Sequence, residues 1–173
     1  MSIRSKFLTT RALAQAGIIA ALYVALVLSN AMFSYGMIQI RIAEALTILP
    51  LFMPAAIPGV FIGCLIANIF SPFPNIIDIV FGSLTSLLAS IMTYQIGRDL
   101  AKTKVKELPK FLLAAIPPVL ANAIIVGTYV GILWYPAIPV YLVMLSVGAG
   151  QVVACYLLGG FLYFGLRKTK LGR

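Results

Sequence analysis

The chain has 173 residues, a net charge of +9, 62% hydrophobic residues and only 10% charged ones, where a soluble domain carries about 45–50% and about 25%. Its apolar runs are continuous rather than alternating, which excludes both a soluble domain and a β-barrel and leaves one all-α integral membrane domain over residues 1–173. The chain has no His, so His-based metal sites and His general bases are excluded as well.

Arg4, Lys6 and Arg11 precede the first apolar run, Ala12 to Leu28, which is long enough to span. Two rows of small residues lie on it at spacing four: Ala12, Ala16 and Ala20, and beside them Gly17, Ala21 and Ala25. Such rows let another helix approach closely, either within the chain or as a docking face for another protein. A more polar link, Ser29 to Gln39, leads into Gly36–Pro50, the stretch that organises the chain. It holds Arg41, the one basic residue outside the two ends and a central loop, and Glu44, one of only four acids. On a helix, positions i and i+3 can touch, and a charge in hydrocarbon costs roughly 2.5–3.5 kcal/mol even on mild scales. The pair reads either as a structural ion pair or, preferably, as one wall of a ligand site.

Arg41 to Met53 is expected as a short helix, ended by the Pro54–Gly59 reversal; Gly59 to Phe70 returns, with Asn68 near its end. Both are shorter than a full span, and two tilted spans are preferred over a re-entrant pair. After the Ser71–Asn75 turn, Asp78 opens a helix over Ile79 to Ile96, with Phe81 and Thr85 expected on the same face. An acid in the first turn suits the helix dipole, so Asp78 reads either as a cap or as a site residue. Gly97 to Lys110 is a basic loop. Leu112 to Gly131, kinked at Pro117-Pro118, buries Asn122. Trp134, Tyr135, Pro136 and Pro139 form an interfacial aromatic turn, and Val140 to Leu166 carries Met144, Gly148, Gln151 and Cys155 on one face. Cys64 and Cys155 read as packing residues.

Twelve of the 13 basic residues fall at the N-terminus, in the central loop or at the C-terminus. Basic loops stay in the cytoplasm, so all three regions are expected there, with four spans and then two between them. The net charge is a topology signal, and nucleic acid is excluded as a partner. Arg41, Glu44, Asn68, Asp78 and Trp134 then fall toward the outer side, with Asn122 and Gln151 at mid-membrane or above.

The basic N-terminus, the segment Ala20-Ala21-Leu22-Tyr23-Val24 and six helices in under 200 residues resemble S components of energy-coupling-factor (ECF) transporters. More specifically, Ile40-Arg41-Ile42-Ala43-Glu44-Ala45-Leu46, Leu49-Pro50, Pro54–Gly59, Gly63-Cys64-Leu65 with Asn68, and Asp78-Ile79-Val80-Phe81-Gly82-Ser83-Leu84 are similar to the QueT type of queuosine-precursor transporter. Pro117–Leu120 and Asn122–Gly127 continue the likeness. The resemblance implies a substrate-binding subunit without an ATPase of its own, docked on a transmembrane coupling protein that two cytoplasmic ATPases drive. It implies a 7-deazaguanine substrate, the aminomethyl or cyano precursor of queuosine, and no cofactor. It places the docking motif at Gly17 and Ala21, beside Ala16 and Ala20. One departure is Gly150-Gln151, where the family often has an acid after the glycine; an amide bonds a base edge but supplies no charge.

The residue chemistry agrees with such a ligand. A guanine-like edge presents N–H donors to a carboxylate and a carbonyl to an Arg, Asn or Gln donor, while the flat ring stacks on aromatics. A protonated arm wants a second carboxylate. The expected substrate-binding set is Arg41, Glu44, Asn68, Asp78, Phe81, Asn122, Trp134 and Gln151. A solitary proton-coupled transporter is the alternative, since Glu44 or Asp78 would serve as a proton site. Four scattered acids do not suit a metal-dependent lipid transferase.

Overall fold

The structure is a computed structural model that describes residues 9–35, 39–72 and 74–169. Arg4, Lys6, Gly36, Lys170 and Arg173 lie outside the described residues. Six main helices follow one another: α1 (Thr10–Ser29), α2 (Ile42–Leu51), α3 (Ala56–Ile69), α4 (Asp78–Leu100), α5 (Glu107–Trp134) and α6 (Val140–Arg167). A single turn, Ala31–Ser34, follows α1. The protein is an all-α membrane protein: α1, α4, α5 and α6 are long and apolar enough to cross a bilayer.

The two short helices differ in kind. α2 winds as a 3₁₀ helix of 10 residues, far beyond the usual three or four. At about 2.0 Å per residue it reaches about 20 Å. The 14 residues of α3 reach about 21 Å at 1.5 Å each, so neither covers the roughly 30 Å of hydrocarbon upright. α2 is the centre of the fold. Residues Ala43 to Pro50 are all buried, as suits a helix apolar all round, and α1, α3, α4 and α6 pack about it.

α1 starts where the Thr9 hydroxyl accepts the Ala12 N–H at 3.1 Å. Its buried stripe is Ala12, Ala16, Ile19, Ala20, Tyr23 and Val27, and it lies mainly against α3. Gly59 and Gly63, four apart on α3, are the reason. A Cβ at Gly59 would meet the Ala16 carbonyl oxygen at 2.9 Å, and one at Gly63 would meet the Tyr23 Cβ at 2.6 Å. The row Ala12/Ala16/Ala20 is therefore an internal small-residue seam. The neighbouring row Gly17/Ala21/Ala25 is exposed, and a Cβ on Gly17 meets nothing within 4 Å.

The basic loop is shorter than the residue pattern suggested. α4 continues through Arg98 to Leu100 and α5 begins at Glu107, where cation and anion each suit the local end of the helix dipole. Only residues 101–106 connect them. Glu107 Oε2 accepts from the Tyr163 hydroxyl (2.6 Å) and pairs with Arg167 (3.3 Å), while the Tyr163 ring lies 5.3 Å from that of Phe52. The central loop, the end of α2 and the end of α6 thus share one end of the bundle, as an even number of spans between the basic regions requires. The α5 break at Ala115 precedes Pro117-Pro118. Pro118 cannot donate to Ala114 O, and Thr93 of α4 donates to that carbonyl instead, at 3.0 Å. Three π turns interrupt the long helices: Asp78–Gly82, Asn122–Val126 and Val153–Leu158.

Candidate functional site

Away from the Glu107 end, the bundle buries a polar cluster to which all six helices contribute. Arg41 precedes α2 in extended backbone. Its Nε donates to Ser34 O (3.1 Å), its Nη2 donates to Asn68 Oδ1 (3.3 Å), and its guanidinium lies 5.0 Å from the Tyr35 ring centroid, a cation–π distance. Asn68 Nδ2 donates to the backbone oxygen of Asp78 (2.9 Å), and the Tyr129 hydroxyl of α5 donates to Asp78 Oδ1 (2.5 Å). Glu44 Oε1 accepts from the hydroxyls of Tyr23 on α1 (2.5 Å) and Ser86 on α4 (3.4 Å). Ser86 Oγ also lies 3.4 Å from Cys64 Sγ. Cys155 Sγ of α6 bridges Gln151 Oε1 and Glu44 O, each at 3.7 Å.

Two glycines make the cluster compact. A Cβ at Gly82 would stand 3.1 Å from Asn68 Nδ2, 3.4 Å from the Tyr129 hydroxyl and 3.6 Å from Asp78 Oδ1. One at Gly150 would overlap the backbone carbonyl of Gln39, so this glycine lets the segment entering Arg41 lie directly on α6. The cluster is sealed: Arg41, Glu44, Asn68, Asp78 and Gln151 are each at most 7% exposed. Among the described residues, two of its buried atoms have no hydrogen-bond partner, the acceptor Glu44 Oε2 and the donor Gln151 Nε2. Nearly all buried polar groups are bonded, so an unmet acceptor and an unmet donor stand out in this cluster. With every group ionised, one cation (Arg41) faces two anions (Glu44 and Asp78), a net charge of −1.

The structure brings together Arg41, Glu44, Asn68, Asp78 and Gln151. It does not add Phe81, Trp134 or Asn122. Phe81 is 52% exposed and lines an apolar groove of about 420 Å³ with Ile77, Ile124 and Leu133. The π turn is the reason: it advances the buried face from Asp78 to Gly82, Ser83 and Ser86 and turns position 81 outward. Trp134 is 40% exposed, edge-on to Tyr129 at 5.8 Å. Asn122 is buried, but its Nδ2 donates to Pro118 O within its own helix (2.9 Å).

Other expectations change with the geometry. Arg41 and Glu44 form no salt bridge, because Arg41 stands outside the helix and reaches α3 while Glu44 reaches α1 and α4; among the described residues the two ion pairs are Lys102–Asp99 and Arg167–Glu107. Asp78 is not the cap: Asn75 Oδ1 accepts the Ile77 N–H at 2.8 Å, leaving the Asp78 carboxylate for Tyr129. Ala16 and Ala20 are covered by α3, so of the expected docking residues only Gly17 and Ala21 are open. The cysteines are more than packing, since both touch the cluster. Tyr23, Ser86 and Tyr129 bond to the cluster, and the sequence pattern does not single them out. The spacings Cys64/Asn68 and Gln151/Cys155, each i and i+4, were the signal for the cysteines; a tyrosine or serine among apolar residues gives no comparable one.

The comparisons with known proteins fit this picture. No curated protein and no solved structure matches the chain. A family model described as QueT transporter matches residues 13–168, a span that takes in α2 to α6, all of α1 but its first three residues, and every member of the cluster. The chain therefore belongs to the QueT transporter family.

Proposed function

We propose that this membrane transporter is the substrate-binding subunit of an ATP-driven ECF-type importer and that its substrate is a 7-deazaguanine precursor of queuosine. The observation that carries this reading is the sealed cluster with its unmet acceptor, Glu44 Oε2, and its unmet donor, Gln151 Nε2. A lactam edge offers the complement, an N–H for the carboxylate and a carbonyl for the amide. With both carboxylates ionised, the cluster's −1 charge favours a ligand that brings a cation, which the aminomethyl form does and the cyano form does not. Arg41, Asn68, Asp78 and Tyr129 complete the site. Trp134 meets this set only through the ring of Tyr129. Because the cluster is closed, binding requires opening at the outer end, where Tyr35 covers Arg41.

In this reading the Glu107 end, the basic loop and both termini face the cytoplasm, by the charge rule. The exposed row Gly17/Ala21/Ala25 on α1 meets the coupling protein, which two ATPases drive. Calorimetry of the purified protein with aminomethyl-deazaguanine, cyano-deazaguanine, guanine and riboflavin tests the substrate. Heat is expected with the deazaguanines, most with the aminomethyl form, and none with riboflavin; silence with both deazaguanines overturns the substrate. Uptake in cells with and without the partner subunits tests the coupling. Transport that persists without them and collapses with the proton gradient would replace this reading by a solitary proton-coupled carrier.

A further inference from the structure

A second, unrelated feature lies on the lipid-facing side. α4 and α5 together line a groove of about 580 Å³ whose walls include Leu88, Met92, Ile96, Leu113, Ile116 and Leu120. Its wall is apolar until it reaches Asp99 and Leu100, the last turn of α4. There the chain enters the 101–106 connection, whose Lys102, Lys104 and Lys106 are all exposed. The α5 break contributes to the shape, since Ile116 and Pro117, at the break, both line the groove.

We infer that this groove seats one acyl chain of an anionic phospholipid, with the headgroup phosphate held by the lysines of the 101–106 connection. Charge complementarity selects the occupant. From Arg98 to Lys110 there are five basic residues and two acids. Asp99, which lines the groove, is paired with Lys102 (3.5 Å), and Glu107 is engaged by Tyr163 and Arg167, so the cations of the connection left for a phosphate are Lys104 and Lys106. A cation at the membrane surface attracts anionic lipid, and a groove that holds a chain beneath it turns a diffuse attraction into a site. A protein helix would bury the apolar walls equally well but has no use for the exposed lysines that follow Leu100 in the chain.

Native mass spectrometry of the full chain released from nanodiscs of equal phosphatidylglycerol and phosphatidylcholine reads the site directly. A retained lipid is expected, with phosphatidylglycerol preferred about fivefold or more, the value of roughly one lysine contact. Lys102→Gln with Lys104→Gln and Lys106→Gln should remove the preference. Ala121→Phe, which places a ring against the groove wall, should lower retention of both lipids. Equal retention of the two lipids overturns the inference, as does a preference that survives loss of the three lysines. A preference lost with the lysines but untouched by Ala121→Phe also overturns it, because the lipid would then be held by its headgroup alone.

Discussion

Tyr23→Phe isolates a single hydrogen bond at the heart of the cluster. The Tyr23 hydroxyl donates to Glu44 Oε1 at 2.5 Å, and both residues are fully buried. The ring stays in place when the oxygen is removed, held against Gly63 and the α1–α3 seam, so the cavity left behind is small. What remains on Glu44 is the longer bond from Ser86 at 3.4 Å, with Oε2 unpartnered. A hydrogen bond to an ionised group is worth about 1.5–3 kcal/mol, which corresponds to about 10- to 150-fold in an equilibrium constant. The loss should appear twice. The unfolding midpoint in detergent should fall, because Glu44 is left under-bonded in a low-dielectric interior. Affinity for aminomethyl-deazaguanine by calorimetry should fall by about the same factor, because Glu44 is no longer held with one oxygen toward the ligand. A variant that unfolds and binds like the parent would refute the reasoning, by showing that the Tyr23–Glu44 contact carries no net energy.

Five further outcomes follow from the structure and the charge pattern. Asp78→Asn keeps an oxygen for the Tyr129 hydroxyl and removes the charge, so the protein should fold while calorimetric affinity for the aminomethyl ligand drops by about 10- to 150-fold; unchanged affinity would leave Asp78 a purely structural residue. Gly63→Ala should lower the unfolding midpoint, since its Cβ would sit 2.6 Å from that of Tyr23 and overpacking costs about 1–3 kcal/mol, whereas Gly17→Leu, in open space, should leave stability and ligand affinity intact and abolish uptake in cells carrying the partner subunits. Thr93→Val leaves Ala114 O without its donor and should destabilise by about 1–3 kcal/mol, read from denaturant unfolding in detergent, with little change in ligand affinity. A cysteine placed at Lys104 should resist an impermeant thiol reagent added outside intact cells and react after permeabilisation; labelling from outside would invert the proposed orientation.

Much of this protein is written locally. The bilayer as solvent requires long apolar runs with internally bonded backbone, so the four long helices, the two short ones and the basic ends are legible residue by residue. Polar side chains in such runs are costly, which is why Arg41, Glu44, Asn68, Asp78 and Gln151 stand out from the apolar residues around them in the sequence itself. Their partners do not. Tyr23 and Glu44 are 21 residues apart and Tyr129 and Asp78 are 51 apart, and only the packing of α1, α4 and α5 around α2 makes them neighbours. The same packing chose which small-residue row on α1 is covered, because Gly59 and Gly63 on another helix decide it. Periodicity also misassigned Phe81, since a π turn shifts the helix register and a 3.6-residue pattern carries no mark of where one will be inserted. Side-chain cost is a property of the residue and its solvent, so the sequence alone determined what had to be buried; the partner of each buried group is a property of helix geometry, and only the tertiary structure decided it.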